Sequence, residues 1–150
     1  MTPDELSDRA EITDVVHRYG WAIDTQDWDL LDTCFTDDAY CDYSSNPGGR
    51  KGPYREVRAW LEQSLAAFVV MQHLMANTQI TLDGDRATVR TMVSNPMGAR
   101  TRGGPPHFFS VGARYDDVFV RTAQGWRITE RVETLLLFEG TLPPELITGD

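Results

Sequence analysis

Cysteine, histidine and long apolar runs are all scarce in this chain of 150 residues. The two cysteines, Cys34 and Cys41, form no CxxC motif and join no histidine cluster, so neither a disulfide framework nor a zinc site is expected. No apolar stretch approaches the ~18 residues that a membrane span needs. The opening MTPDELSDRAE is acidic and polar where a secretory signal would be apolar, which makes the cytoplasm the expected compartment. Basic residues are outnumbered by acidic ones, 14 against 23, and the resulting charge of −9 repels phosphate backbones and anionic bilayers. Nucleic acid and membrane are therefore not expected as partners. GxSxG, HExxH, P-loop and GxGxxG signatures are missing too. What remains available to these side chains is proton chemistry without a metal or cofactor.

No repeat, low-complexity tract or linker divides the chain, whose length suits one domain over residues 1–150. Ile12, Val15, Val16, Tyr19 and Ile23 recur at three- and four-residue steps, which predicts a helix over Asp4–Ile23 with Pro3, Asp4 and Glu5 at its start. TQDWDLLDTCF reads as a short second helix with Thr25 or Asp27 as N-cap. AYCDY reads as a strand ended by the turn-rich SSNPGGRKGP. A third helix is expected over YREVRAWLEQSLAAFVV, with Val57, Trp60, Leu61, Leu65 and Phe68 on one stripe. From His73 onward the period drops to two. LMANTQITL and RATVRTMV form one predicted hairpin across Asp83-Gly84-Asp85, and FFSVGARYDDVFVR and GWRITERVETLLLF a second. NPMGARTRGGPPH, rich in Gly and Pro, is expected to be a loop between them. The order, helices first and long strands after, predicts an α+β domain: three helices packed on one face of a curved, mostly antiparallel sheet. Such a sheet can leave a cavity between itself and the helices.

His73 lies where the period changes. An imidazole facing a cavity beside a carboxylate is a candidate proton shuttle; one satisfied by backbone is only a junction residue. Asp24 falls on the edge of the first helix's apolar stripe, on the same side as Gly20 and His17, at about 100° per residue. Tyr19 lies inside that stripe, and the residues alone leave open whether its hydroxyl serves the core or a ligand. Tyr43, Trp60, Phe68, Met71 and Met75 suit either core or pocket wall. Along a strand His73, Met75 and Asn77 share a face unless a bulge shifts them. His107, Arg100 and Arg102 read as loop residues, and Asp116 or Asp117 as partners for Arg114 or Arg131.

RYGWAIDTQDWDLLDTCFTDDAY, QHLMANTQITLDGDRA and YDDVFVRTAQGWRI, in that order, resemble the SnoaL-like domains of the nuclear transport factor 2-like superfamily. The likeness runs from about Glu11 to Arg131 and implies a cone-shaped α+β fold with an apolar pocket. Scytalone dehydratase, bile-acid dehydratase and hexachlorocyclohexane dehydrochlorinase pair an Asp of the first helix region with a His after the third helix. Asp24 and His73 match those positions. Tyr19 matches a Tyr of bile-acid dehydratase, and Arg121 a late-strand Arg of the dehydrochlorinase. Asn95 departs from the pattern, standing where a second His or an acid is found, and an amide can orient water or a carbonyl without exchanging protons.

The resemblance implies a cofactor-independent lyase or isomerase acting on a small, mostly apolar, cyclic molecule. Asp24, His73 and Tyr19 are the expected catalytic residues, with Asn95, Tyr43, Trp60, Met75, Asn77 and Arg121 toward the substrate. Dehydration by proton removal fits these roles, and an aldol-type polyketide cyclisation uses similar groups. The same fold also serves as a non-catalytic binding or assembly module, such as a dioxygenase small subunit. A homo-oligomer, dimer or trimer, is expected.

Overall fold

The computed structural model describes residues 1–142. Helix α1 spans Pro3–Asp24. Its first turn is closed by a capping box: Glu5 N–H donates to Thr2 Oγ1 at 3.2 Å and Thr2 N–H to Glu5 Oε2 at 2.7 Å. Helix α2 (Trp28–Asp32) starts on Asp27, whose carboxylate accepts from Leu30 N–H at 3.0 Å. Strands β1 (Phe35–Asp42) and β2 (Lys51–Pro53) precede α3 (Tyr54–Leu65). Four strands follow among the longer elements and one short one: β3 (Phe68–Met71), β4 (Leu74–Asp83), β5 (Arg86–Ala99), β6 (His107–Thr122) and β7 (Gly125–Glu139).

These strands make one strongly curled sheet in the order β2-β1-β7-β6-β5-β3, with β4 also paired to β5. All pairings are antiparallel except β1 with β7. The helical stripe of α1 is buried against it as expected, Ile12, Val16 and Ala22 completely. The arrangement is the α+β architecture the sequence predicts, with both long hairpins at their expected turns.

Three expectations need correction. The third helix stops at Leu65, and Phe68–Met71 is strand β3, because Val69 and Val70 are β-branched and Phe68, Val70 and Met71 pair with the end of β5. The expected loop from Asn95 is shorter, since Asn95–Ala99 extends β5. Pro96 lacks an N–H to donate, but its carbonyl accepts from Gln72 N–H at 3.2 Å. Gly98 fits there because a Cβ would press on Phe108 and Val70 on either side. Lys51–Pro53, expected as turn, is a short strand paired to β1.

One consequence decides where the site lies. β3 takes up residues 97–99 of β5 and β4 takes up residues 86–94. The chain between them, Gln72 and His73, therefore sits in the break, opposite Asn95 and Pro96.

The interior also holds charge. Arg131 on β7 and Asp117 on β6 are fully buried and joined by two bonds, Nε to Oδ1 at 2.7 Å and Nη2 to Oδ2 at 2.6 Å. The guanidinium lies over the Tyr19 ring at 4.0 Å and over Tyr115 at 4.1 Å, so aromatic faces supply favourable electrostatics where water cannot. Removing one partner leaves the other charge stranded. Asp117→Ala is expected to lower unfolding free energy by about 3–5 kcal/mol in a urea titration, whereas exposed Arg86→Ala should change it by less than about 1 kcal/mol. Burial also pushes the Cys34 thiol up to about 11 and that of Cys41 to about 12. Neither should react with a disulfide reagent at neutral pH until the protein unfolds, which a time course with and without denaturant measures.

Candidate active site

Asp24 is the last residue of α1, and its carboxylate reaches across to the break between β3 and β4. Oδ2 accepts from the His73 backbone N–H at 2.8 Å, and Oδ1 lies 2.6 Å from Nδ1 of the ring. Both oxygens thus hold one residue. The His73 side chain is 6% exposed and that of Asp24 16%. Gly20 makes the approach possible: a Cβ there would stand 3.3 Å from Met75 Cγ and 3.5 Å from His73 Cβ.

The hydrogen bonds fix the tautomer. An ionised carboxylate only accepts, so Nδ1 carries the ring proton and Nε2 keeps a lone pair. Nε2 faces Asn95, whose Nδ2 is 3.3 Å away and donates to it. The other end of that amide, Oδ1, is buried and has no protein partner. Asn95 therefore presents an unused acceptor beside the basic nitrogen.

Nε2 and Asn95 border a cavity of about 160 Å³. Its walls are largely apolar, with Trp60, Phe68, Met97, Phe109 and Phe138 among them. Tyr19 stands edge-on to His73, with ring centroids 6.2 Å apart, and its hydroxyl is 2.9 Å from that of Tyr43. Whichever phenol donates in that pair, the other keeps a proton for a third partner. Burial raises both phenols above the usual range, so they are neutral donors.

Of the residues singled out from sequence, Asp24, His73, Tyr19, Tyr43, Trp60 and Asn95 are brought together here. Three are not. Arg121 grips Asp8 through Nη1 and Nη2 at 2.7 and 2.8 Å and Asp85 through Nε at 2.8 Å, with Trp126 beneath it at 4.7 Å. It ties the first part of α1 to the far end of β6, outside the cavity. Asn77 is exposed at φ 52° in a bulge of β4, where the pairing shifts between Ala76 and Gln79. Met75 packs on Gly20 and borders an outer groove with His17 and Trp21 in place of the cavity.

Four polar cavity residues were not anticipated, Asn46, Ser64, Tyr115 and Glu133. Glu133 on β7 is buried in the wall, and Asn46, from the turn after β1, donates to its Oε1. The signal was present but inverted: in RVE the charged Arg131 and Glu133 point in and Val132 points out.

The tautomer is directly testable. Nitrogen-edited NMR of the neutral ring should show the proton on Nδ1 of His73. Asp24→Ala should release it to the Nε2-protonated form that free imidazoles favour, and an unchanged spectrum would contradict the reading.

The SnoaL-like domain family model matches residues 4–132. The Mycobacterium tuberculosis protein Rv2910c is 44% identical over 130 residues, covering 87% of this chain and 86% of that protein. The crystal structure of Kfla4162 from Kribbella flavida is 30% identical with a TM-score of 0.82, over 91% of this chain and 95% of that one. The structure of a hexachlorocyclohexane dehydrochlorinase, LinA type 2, has a TM-score of 0.76 at 19% identity, over 94% and 97%, and shares the fold.

Proposed function

This chain belongs to the SnoaL-like domain family, and we propose that it is a cofactor-independent lyase or isomerase acting on a small, mostly apolar cyclic molecule. The observation that carries the reading is the double grip of Asp24 on His73, whose Nε2 meets Asn95 where both residues line an apolar cavity. A neutral imidazole so held accepts a proton from carbon, and the carboxylate stabilises the imidazolium as it forms. Asn95 is the companion of that step. Its amide donates to Nε2 while the ring is neutral; turned over, its Oδ1 accepts from the imidazolium N–H. Tyr19 or Tyr43 supplies the phenol proton that receives a substrate oxygen as negative charge builds on it.

Dehydration of a β-hydroxy ketone uses all of these groups. Nε2 removes the hydrogen on the carbon between the carbonyl and the hydroxyl-bearing carbon, and the C–H pair becomes the C=C bond. The C–O bond breaks and the hydroxyl takes up a proton to depart as water, the proton left on His73 balancing the one consumed. The dehydrochlorinase activity named for LinA, on the same fold, supports an elimination, and the aromatic walls favour a flat ring.

Base action can be read without the natural substrate. Small cyclic ketones, 1-indanone and cyclohexanone among them, are incubated with protein in D₂O and deuterium uptake next to the carbonyl is followed by mass spectrometry. His73→Ala should lower uptake by roughly 10²–10⁴-fold with the circular dichroism spectrum unchanged. Full uptake in that variant, or loss of its fold, would overturn the assignment.

A further inference from the structure

Hydroxide is a poor leaving group, so loss of water is aided by an acid as well as a base, and His73 cannot serve as both in the same instant. Among the described residues that line the cavity, one carries a carboxyl group, Glu133. Resting on the dyad reading, we propose that Glu133 is the acid of the pocket, handing its proton to the oxygen that leaves the substrate.

The geometry around Glu133 is built. It lines the same cavity as His73 and is 7% exposed. The turn from Tyr43 to Arg50 is fastened over it at two points. Ser45 Oγ donates to the Glu133 carbonyl at 2.9 Å and accepts from Leu135 N–H at 2.9 Å, while Asn46 Nδ2 donates to Glu133 Oε1. The turn holds its own shape through Tyr43 N–H to Arg50 O at 2.8 Å and Gly49 N–H to Asn46 O at 2.9 Å. It demands glycine at 49, since a Cβ there would collide with the Tyr43 carbonyl. A rigid clamp therefore fixes one carboxyl oxygen. Among the described residues no basic side chain forms a salt bridge with Oε2, and Arg131 of the same strand has two of its nitrogens committed to Asp117.

The charged and titratable groups facing Glu133 come from every layer. They are Tyr19 of α1, Tyr43 just after β1, His73 before β4, Tyr115 of β6, and Arg131 of its own strand. Burial favours the protonated carboxyl, and this exceeds the opposite pull of Asn46, Arg131, Tyr115 and His73. The shift is in the direction that a proton donor needs.

The step balances. His73 Nε2 takes the carbon-bound hydrogen, the freed pair forms C=C, the C–O bond breaks, and the departing oxygen takes the Glu133 proton to leave as water. Imidazolium and carboxylate remain, and transfer of the proton from His73 back to Glu133 restores both. The fitting substrate is a neutral cyclic β-hydroxy ketone. A ligand carboxylate would meet Glu133 and no free cation among the described cavity-lining residues.

Two measurements test this. In carbon-13 carboxyl NMR, with the signal assigned by its loss in Glu133→Gln, Glu133 should titrate above the ordinary 4.5, and Asn46→Ala, which removes a donor to the ionised form, should move it higher. Titration at or below 4.5 overturns the proposal, whatever the fate of the dyad. With 3-hydroxy-1-indanone in D₂O, Glu133→Gln should lower the ratio of water loss to deuterium uptake by roughly 10²–10⁴-fold. An unchanged ratio overturns the proposal while leaving His73 as base. Loss of neither process in His73→Ala would instead count against the dyad, and the carboxyl titration still decides Glu133.

Discussion

Everything at the site depends on a carboxylate with both oxygens spent on one residue. A single bond from Asp24 to the His73 ring would leave the imidazole free to swing about its side-chain torsions. The second bond, to the backbone N–H, anchors the main chain beneath the ring, so ring and backbone move as one unit. It also locks the end of α1 to the break in the sheet edge, where no strand neighbour supplies that N–H with a partner. The same two bonds therefore satisfy an otherwise exposed backbone donor and set the proton on the right nitrogen. Structural and chemical roles coincide, and this is why a histidine at a helix–strand junction cannot be read as one or the other from its position alone.

The elements were legible where local chemistry decides them. The capping residues of α1, the two tight hairpin turns and the apolar stripe of the first helix all follow from neighbours within a few positions. Long-range pairing was not legible. Phe68–Met71 continues an apolar stripe in sequence, yet becomes a strand because the end of β5 offers it an edge. The Pro96 and Gly98 that suggest a loop lie inside that same strand, for the same reason.

The site was legible in part because Asp24 and His73 resemble a known pairing, while their neighbours depend on facing. A period of two places Asn77 beside His73, and one bulge carries it to the surface. Arg121 suits an alignment, yet Asp8 and Asp85 hold it elsewhere. Glu133 was missed, and the pairing of Arg131 with Asp117 was foreseen without its burial, because a pattern-based reading assigns charge to the outside of a strand. Here β7 reverses the rule: 47% of Val132 is exposed while its charged neighbours are buried. Fold and polarity are thus separate questions. Buried charges on β7 are tolerated only because Asp117, two tyrosine faces and the Asn46 clamp were brought to them by other strands and turns.

The parallel pairing of β1 with β7 joins an early strand to the final one described. Until β7 has left the ribosome, β1 has no neighbour on that side, Arg131 is not there to stack on Tyr19, and Asn46 has nothing to clamp. Such distant closure puts assembly among the slower kinds, governed by the loop entropy of bringing remote segments together. The hollow is thus walled in only once β7 has been made, and a nascent chain halted before that strand lacks the wall that Glu133 and Phe138 supply.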